Sequence, residues 1–463
     1  MKHSFTEIRI PIEKDNPAIL RDESKCVKCG QCRTVCEKEI AVGKMYDLDK
    51  TGDNAICIHC GQCAVVCPVE SITQVYDYEK VKSSINDSEK IVIFSTSPSV
   101  RVALGEEFGM EPGTYVEEKM VSALRKLGAD YVFDTTFSAD LTIMEEASEL
   151  IECITKNEKS LPQFTSCCPA WVKFVETFYP ELIPNLSTAK SPIGMQGPTI
   201  KTYFAKKKGL NPKQIVNVAV TPCTAKKYEI LRPEMNDSGK YYKDESIRDM
   251  DYVITTKELA KWLKEEEISF ENLENSSYDD LLGRGSGAGI IFGNTGGVME
   301  ASIRTAYYLI TGEQPPQNIL NFTPIRGIDG IKEAEVKVAD KVINVAVIHG
   351  TANAKSLIES MNDNKHKYDF IEVMTCRGGC ISGAGQPKTS FEVTDMIRFK
   401  RIAGLYNKDN TIKIKSSYEN PDIKQVYKEF YGSPLSDLAE SMLHTAYNSK
   451  NYMLNNILEN ENI

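Results

Sequence analysis

A repeated cysteine motif near the start of the chain constrains its fold more than any other feature. Eight of the 14 cysteines lie within residues 26–67. They form two copies of the spacing C-x2-C-x2-C-x3-C, namely Cys26, Cys29, Cys32 and Cys36, then Cys57, Cys60, Cys63 and Cys67. Three thiolates on one tight loop can cap one face of an iron–sulfur cubane, while the fourth ligates a partner cluster. The repeat therefore predicts a small domain built around two 4Fe–4S clusters.

The crossed ligation assigns four cysteines to each cluster. We expect one cluster on Cys26, Cys29, Cys32 and Cys67, and the other on Cys57, Cys60, Cys63 and Cys36. Zinc is the main alternative, but zinc ribbons use paired C-x2-C motifs without the third and fourth cysteines in register. The first copy lacks the proline that follows Cys67 in the second copy, and its ligand spacing is intact. Two clusters this close form an electron relay, so other residues must supply the chemistry.

Length, hydrophobic content and charge indicate a globular protein with more than one domain. A chain of 463 residues with 41% hydrophobic content can bury two or three cores. No apolar run approaches the roughly 18 residues needed to cross a bilayer, so we expect no signal peptide, no membrane association and a cytoplasmic location. Cysteines in such a protein are more often ligands or catalytic groups than disulfides. The net charge of −10 disfavours nucleic acid as a partner.

The pattern along the chain predicts three parts. Residues 1–85 are expected to form an α+β ferredoxin-like domain, residues 86–390 a two-lobed α/β catalytic domain, and residues 391–463 a helical C-terminal segment that wraps it. In the catalytic domain, short apolar runs alternate with helical patterns, which favours mostly parallel sheets. We expect strands to begin near residues 91, 130, 215, 289, 342 and 370.

A second group of cysteines lies in the α/β region. Cys167 and Cys168 occur in FTSCCPAW, Cys223 in TPCTAKKYE, and Cys376 and Cys380 in EVMTCRGGCISGAGQP. Cys223 and Cys376 each follow a predicted strand, and ligands of open α/β sheets collect at the carboxyl ends of strands. These cysteines are therefore expected to converge in one crevice. The alternative is that they are reduced core cysteines.

These three segments, in this order, resemble the signature motifs of the iron-only hydrogenases, and the resemblance covers nearly the whole chain. It implies a cluster called the H-cluster, in which a 4Fe–4S cubane on Cys168, Cys223, Cys376 and Cys380 is bridged through Cys380 to a two-iron subsite. That subsite carries CO, cyanide and azadithiolate and is built by maturation proteins. The implied reaction is reversible H2 formation from protons and electrons, with ferredoxin or flavodoxin as the electron carrier.

The resemblance also implies roles for residues around the two-iron subsite. Cys167 would pass protons to the bridgehead amine, and Lys226 would bind a cyanide, although without the motif it would be taken for a surface lysine beside Lys227. Pro98 and Ser99 would contact the other cyanide. Further residues would pack near the subsite or line its cavity: Met374, Phe292 and Gly293.

A proton path is expected along the helix that contains ADLTIMEEASELIECI. Glu146, Glu149 and Cys153 form one stripe on this helix, apart from its apolar face. The resemblance implies that Glu146 and Glu149 relay protons, with the hydroxyl of Ser187 between them. On pattern alone, a charged stripe of this kind is usually just the solvated side of a helix. The family usually continues the path outward with an arginine, where this chain has Cys153.

Other departures and alternatives stay open. Thr221 stands where a methionine usually packs, and Ala170 where glycine is usual, which suggests a divergent, group B-like member.

An iron–sulfur scaffold without the two-iron subsite and a hydrogen sensor are alternative functions. Within the glycine-rich residues 283–301, the G-x-G-x-G run precedes the predicted strand, which is the wrong side for a dinucleotide loop. Residues 206–208 are three lysines that either dock the electron carrier or form a solvated helix end.

Overall fold

The computed structural model describes residues 8–46, 55–156, 161–361, 367–388 and 393–459. The strands are β1 Ile19–Arg21, β2 Ile72–Gln74, β3 Ile91–Thr96, β4 Tyr131–Asp134, β5 Gln163–Phe164, β6 Ile215–Thr221, β7 Tyr252–Thr255, β8 Ile331–Val338, β9 Lys341–His349 and β10 Phe370–Met374. The first ten α-helices are α1 Gln31–Lys38, α2 Gln62–Val65, α3 Tyr78–Ile85, α4 Glu117–Leu127, α5 Thr135–Lys156, α6 Pro169–Phe178, α7 Pro192–Thr199, α8 Ala205–Lys208, α9 Ala225–Glu229 and α10 Asp237–Tyr242. The others are α11 Thr256–Glu265, α12 Gly287–Ile291, α13 Gly297–Thr311, α14 Gln317–Leu320, α15 Thr351–Met361, α16 Asp395–Thr411, α17 Pro421–Val426, α18 Asp437–Leu443 and α19 Tyr452–Glu459.

The two cysteine motifs have the same backbone geometry. Gly30 (φ 77°) and Gly61 (φ 70°) adopt the left-handed conformation that precedes α1 and α2. The residue before the second cysteine of each motif also has positive φ, at Lys28 and His59. Strands β1 and β2 pair antiparallel across the two halves. The sequence repeat is therefore a structural repeat.

Two four-stranded sheets form the α/β region. In the first, the strand order is β4-β3-β6-β7 and all pairs are parallel. Every residue of β6 is buried, which explains why that strand is mostly apolar instead of alternating, and its interior Asn217 donates to the carbonyl oxygens of Gly197 and Asp249. In the second sheet the order is β5-β10-β9-β8, and β8 alone is antiparallel to its neighbour. The prediction of mostly parallel sheets covered by helices is confirmed.

The strand expected near residue 289 is wrong, because the run GIIF lies in and just after α12, a buried helix. The side chain of Ser286 caps this helix by accepting a hydrogen bond from the amide of Gly289. A Cβ on Gly289 would lie 2.6 Å from the carbonyl oxygen of Thr136, so the small residues let α12 approach α5 closely. A short, fully buried apolar run has the same pattern in a helix as in a strand.

The C-terminal segment is helical and joins the core of the first sheet. Tyr427, Tyr431 and Leu443 belong to the same hydrophobic cluster as Phe133 and Phe137. In the described part of the chain, no helix combines the length and the apolar character needed to span a bilayer.

Candidate active site

A cavity with about 520 Å³ of empty space lies where the strand ends of the two α/β sheets meet. Residues that follow β3 and β6 in the first sheet line it together with residues at or beyond the ends of β5 and β10 in the second. Nine predicted site residues line it: Pro98, Ser99, Cys167, Cys223, Lys226, Phe292, Gly293, Met374 and Cys380. Residues separated by up to 282 positions are thus brought together, as the strand-end argument predicts.

The four cysteines expected to hold the H-cluster lie close together. Cys223, Cys376 and Cys380 are each near enough to Cys168 for their thiolates to repel one another. Cys168 begins α6 as its N-cap residue and donates a hydrogen bond to Thr375 Oγ1 at 3.4 Å. None of the four forms a disulfide.

The surroundings of these thiols fit an iron–sulfur cluster. Burial raises the pKa of Cys223 to about 11 and holds the pKa of Cys376 well above its usual range. Nearby iron ions would offset this cost, because a bound metal favours the thiolate. Among the described residues, no three Cys, His, Asp or Glu side chains form a group that would hold a single metal ion. A cubane is ligated at four separate corners, so its cysteines do not need to meet at one point.

Lys226 is the cation of the cavity. Its Nζ lies 3.1 Å from the carbonyl oxygen of Cys167 and 2.8 Å from Glu229 Oε2. Burial opposes its charge, but the carboxylate of Glu229 raises the pKa of Lys226 above its ordinary value. The surface-lysine alternative for Lys226 is wrong, because its side chain is only 12% exposed. The neighbouring Lys227 is also buried, with 3% of its side chain exposed, and binds Asp77 at 2.7 Å.

The opposite wall depends on a glycine. The hydroxyl of Ser99 donates to the carbonyl oxygen of Gly293 at 3.4 Å, and Gln386 Nε2 donates to the carbonyl oxygen of Ser99 at 2.8 Å. A Cβ on Gly293 would lie 2.3 Å from Ser99 Oγ. The buried side chains of Phe292 and Met374 make the wall apolar. A larger residue at position 293 would therefore force the Ser99 side chain to move.

Thr221 also lines the cavity, and its hydroxyl is already bonded. Oγ1 donates to the carbonyl oxygen of Cys223 at 3.1 Å and accepts from its amide at 3.4 Å. The threonine therefore fixes the loop that carries a predicted cluster ligand.

The stripe on α5 is buried. Glu146 is 1% exposed and Glu149 is 3% exposed, so the solvated-side alternative is wrong. The hydroxyl of Ser187 donates to Glu149 Oε2 at 2.6 Å. Burial and the nearby Glu149 raise the pKa of Glu146 to about 8, while hydrogen bonds from Ser187 and the Ser166 backbone act in the opposite direction. The two carboxyls and the hydroxyl are brought together as expected.

Cys153 does not extend this stripe to the surface. It is 2% exposed, and its thiol donates to Gln163 Oε1 at 3.5 Å. Gln163 Nε2 in turn donates to the carbonyl oxygen of Glu146 at 3.4 Å. Cys153 therefore helps to hold α5 against β5.

A second cavity, with about 420 Å³ of empty space, lies in the N-terminal region. It is lined by the four cysteines of one predicted cluster: Cys36, Cys57, Cys60 and Cys63. Cys36 comes from the first motif and the other three from the second, as the crossed ligation requires. Burial, then the neighbouring Cys60 and Cys57, raise the pKa of Cys36 well above its usual range.

The other predicted quartet lies nearer the surface. Cys29 is exposed, Cys26 and Cys32 are half-buried, and Cys67 is buried. A cluster held there would be more accessible to an external electron carrier than the cluster at the second cavity.

The second motif contacts one of the four predicted H-cluster cysteines, Cys376, directly. Gln62 Nε2 donates to Cys376 Sγ at 3.2 Å. The hydroxyl of Thr224 donates to the carbonyl oxygen of His59 at 3.1 Å. These contacts link the second cavity to the loops of Cys223 and Cys376.

Sequence reasoning missed Gln62 and three polar residues beyond Glu149. The hydroxyl of Thr188 donates to Glu149 Oε1 at 2.9 Å and also contacts His444 Nδ1 at 2.8 Å. His444 Nε2 reaches Glu145 Oε2 at 3.0 Å. Thr188 could have been suspected only because it directly follows Ser187 in the sequence. His444 could not, because it lies 256 positions from Thr188 and no motif spacing links the two.

The fold and the site define an iron–sulfur oxidoreductase with a buried, cysteine-lined cavity between two sheets. The sequence matches the family described as iron only hydrogenase large subunit, C-terminal domain, over residues 90–384. Shorter matches are to the iron hydrogenase small subunit over residues 395–450 and a 4Fe-4S binding domain over residues 51–73. The chain belongs to the iron-only hydrogenase family.

Individual relatives agree with this assignment. Iron hydrogenase 1 of Clostridium pasteurianum is 42% identical over 450 residues, which cover 94% of this chain and 77% of that protein. The periplasmic Fe hydrogenase large subunit of Nitratidesulfovibrio vulgaris is 42% identical over 412 residues, or 86% of this chain and 94% of its own. A solved structure of a variant of the FeFe-hydrogenase HydA1 from Chlamydomonas reinhardtii is similar with a TM-score of 0.71 at 39% identity, covering 81% and 99% of the two chains.

Proposed function

We propose that this enzyme catalyses the reversible conversion of two protons and two electrons to H2. The cavity between the sheets carries the proposal, because it unites Cys167, Cys380 and Lys226 with an apolar wall. When bound there, the two-iron subsite of the H-cluster supplies the metal chemistry. The residues that would hold the adjoining cubane are Cys168, Cys223, Cys376 and Cys380, with Cys380 as the bridge.

The protein orients the cluster and excludes water from it. The Lys226 ammonium offers donors to an anionic cyanide ligand, and the Pro98 and Ser99 segment offers polar contacts on the other side. Phe292 and Met374 keep the cavity apolar, which strengthens these interactions.

Protons move through the buried side chains next to the cavity. Burial raises the pKa of the Cys167 thiol, so Cys167 keeps its proton until a base accepts it. Glu146 has the next exchangeable proton, and the Ser187 hydroxyl stands between it and Glu149. Such positioned acids typically contribute about 10²-fold to 10⁴-fold to a rate.

Electrons enter through the N-terminal region. We propose two 4Fe–4S clusters there, an outer one on Cys26, Cys29, Cys32 and Cys67, and an inner one on Cys36, Cys57, Cys60 and Cys63. The shared cavity of the inner quartet and the contacts of Gln62 support this order. A ferredoxin or flavodoxin would deliver the electrons. Residues 206–208 are all exposed, so they remain a candidate docking patch.

We further propose that residues 1–85 form a ferredoxin-like domain, residues 86–390 the catalytic domain and residues 391–463 a wrapping segment. The structural repeat of the two motifs and the bounds of the family matches support this division. Dependence on maturation proteins and a cytoplasmic location are also part of the proposal.

Infrared spectroscopy and H2 evolution, measured on the same preparations, test the function. The chain is produced with and without the hydrogenase maturation proteins, and H2 is measured with a reduced viologen. We expect CO and cyanide bands together with turnover only after maturation. Bands without turnover would favour a sensor, and no bands after maturation would favour an iron–sulfur scaffold.

A further inference from the structure

We propose that His444 is a proton-relay residue, which passes protons between solvent and Glu149 through the hydroxyl of Thr188. The proposal rests on the proposed function and adds the outer part of the proton path. It is carried by a continuous chain of hydrogen bonds between α5 and the C-terminal segment. That segment lies outside the motifs that carry the chemistry in the sequence.

The chain begins at Glu149, the outer carboxyl on α5. Glu149 Oε2 accepts from Ser187 on its inner side at 2.6 Å, and Oε1 accepts from Thr188 Oγ1 at 2.9 Å. Thr188 Oγ1 lies 2.8 Å from His444 Nδ1. Each step is within hydrogen-bond distance, so no water is needed between Glu149 and His444.

The other ring nitrogen of His444 is fixed by a buried carboxylate. Nε2 lies 3.0 Å from Glu145 Oε2, and Glu145 is fully buried. Glu145 also accepts from the hydroxyl of Tyr427 at 2.5 Å and the amide of Leu435 at 2.8 Å. A carboxylate only accepts hydrogen bonds, so Nε2 carries a hydrogen and Nδ1 is the nitrogen that exchanges a proton.

Two hydrogen-bond arrangements of this chain hold the same protons but differ in whether His444 or Glu149 carries one of them. When Thr188 donates to Glu149, its oxygen must accept from Nδ1, so the imidazole is cationic. When Nδ1 is bare, it accepts from Thr188, and the imidazole is neutral. Going from the first arrangement to the second, the Nδ1 proton passes to Thr188 Oγ1 and the former hydroxyl proton of Thr188 passes to Glu149. Glu149 then gives its proton inward toward Ser187, the Thr188 hydroxyl turns back to Glu149, and His444 takes a proton from a hydronium ion, which leaves as water, so atoms and charge balance.

The position of His444 suits exchange with solvent. Its side chain is 8% exposed, whereas Glu146, Glu149 and Cys153 are nearly fully buried. It is the C-cap of α18, where the helix dipole favours a cation. The ionisable groups near this chain include Glu145 and Tyr427, which are hydrogen-bonded to each other, and Tyr447, which lies near Glu149. They also include the Lys190 and Asp237 pair, whose lysine donates to the carbonyl oxygen of Met442. Imidazole is the side chain suited to exchanging protons near neutral pH.

The test compares three variants of the matured, full-length enzyme. His444→Gln retains hydrogen-bonding groups but cannot carry a proton, and Thr188→Val removes the hydroxyl between the two titratable groups. Ser441→Ala, an exposed position on α18, is the matched control. We expect the first two to slow H2 turnover by on the order of 10²-fold with unchanged infrared bands, and the double variant to be no slower than either. The control should match the unaltered enzyme.

A second readout does not depend on turnover. In the full chain with labelled histidine, NMR follows the titration of each imidazole. His444→Gln identifies the signal, and Thr188→Val should shift its titration because it removes the Nδ1 partner. Unchanged turnover in Thr188→Val would overturn the proposal even if His444→Gln failed to fold. A His444 titration that Thr188→Val leaves unmoved would overturn it as well. An unaltered enzyme with bands but no H2 turnover would instead refute the proposed function, and the relay with it.

Discussion

At the scale of single residues, Glu146 is a carboxylic acid kept protonated by its surroundings. Its pKa of about 8 results first from burial and then from the charge of Glu149. One of its oxygens, Oε2, has no hydrogen-bond partner among the described residues. A buried carboxyl with an uncommitted oxygen can supply a proton at neutral pH, as a relay to Cys167 requires.

The raised pKa predicts the direction of the pH effect. Glu146 holds its proton below about pH 8 and loses it above, so H2 evolution should fall as pH rises through 8. Glu146→Gln, which cannot release a proton at any pH, should lower turnover by about 10²-fold to 10⁴-fold. Turnover measured against pH, with infrared bands as the check on the cluster, tests both statements. Glu118→Gln, at an exposed position, is the control, and equal loss in both variants would contradict the prediction.

The site residues that lie in sequence motifs could be predicted, whereas those that reach the site only through tertiary packing could not. The cavity-lining set around Cys223 and Cys380 could be placed together because strand ends in parallel sheets meet at one edge. Thr188 and His444 could not be paired, because their contact depends on how the C-terminal segment packs on α5. The buried state of Glu146 was also undecided, since a charged stripe on a helix has the same sequence pattern whether it is solvated or covered.

At the scale of elements, the C-terminal segment supplies hydrogen-bond donors to buried carboxylates of the α/β region. Asp140 on α5 accepts from Ser417 at 2.8 Å and from Asn420 Nδ2 at 2.9 Å. Glu176 on α6 accepts from Lys450 at 2.5 Å. A buried carboxylate without donors is costly, so this segment is a structural part of the fold.

Removing one donor should therefore destabilise the whole chain. Asn420→Ala leaves Asp140 with one donor fewer and should lower the free energy of unfolding by about 1–3 kcal/mol. Burial raises the pKa of Asp140 to about 6, so the deficit should shrink below pH 6, where the carboxyl is protonated and needs fewer donors. Denaturant unfolding at two pH values measures this. Asn407→Ala, exposed on α16, should be neutral, and a pH-independent loss would contradict the explanation.

Element type was predictable where the apolar run was long and the helix pattern regular. Strands β3, β6, β9 and β10 and helix α5 were expected and are present. Helix α12 was predicted as a strand because five buried small and apolar residues carry no period that separates the two. Strand β8 alternates buried and exposed residues along a charged run, and its pairing with β9 depends on the edge position that the second sheet gives it.

At the scale of the whole molecule, the proposed electron path depends on how the N-terminal region fits against the loops of Cys223 and Cys376. Gly61, between two predicted inner-cluster ligands, approaches Thr224 so closely that a Cβ would lie 2.4 Å from its Oγ1 and 2.6 Å from Ala384 Cβ. Gly30 has the same place in the first motif, but its nearest neighbour would be 3.4 Å away, at the carbonyl oxygen of Ile8. The internal repeat thus provides a matched pair of positions.

Alanine at these two glycines separates backbone strain from the contact between the regions. Both positions have φ above +60°, so Gly61→Ala and Gly30→Ala share the strain of a left-handed residue. Gly61→Ala should lose about 1–3 kcal/mol more of the free energy of unfolding, because it also overpacks the interface. It should also lower carrier-driven turnover more than Gly30→Ala does, because the loop of the inner cluster is displaced from Thr224. Unfolding and turnover are measured on matured enzyme with equal iron content. If both variants lost the same stability and the same carrier-driven turnover, the contact of Gly61 with Thr224 would not control electron transfer to the cavity.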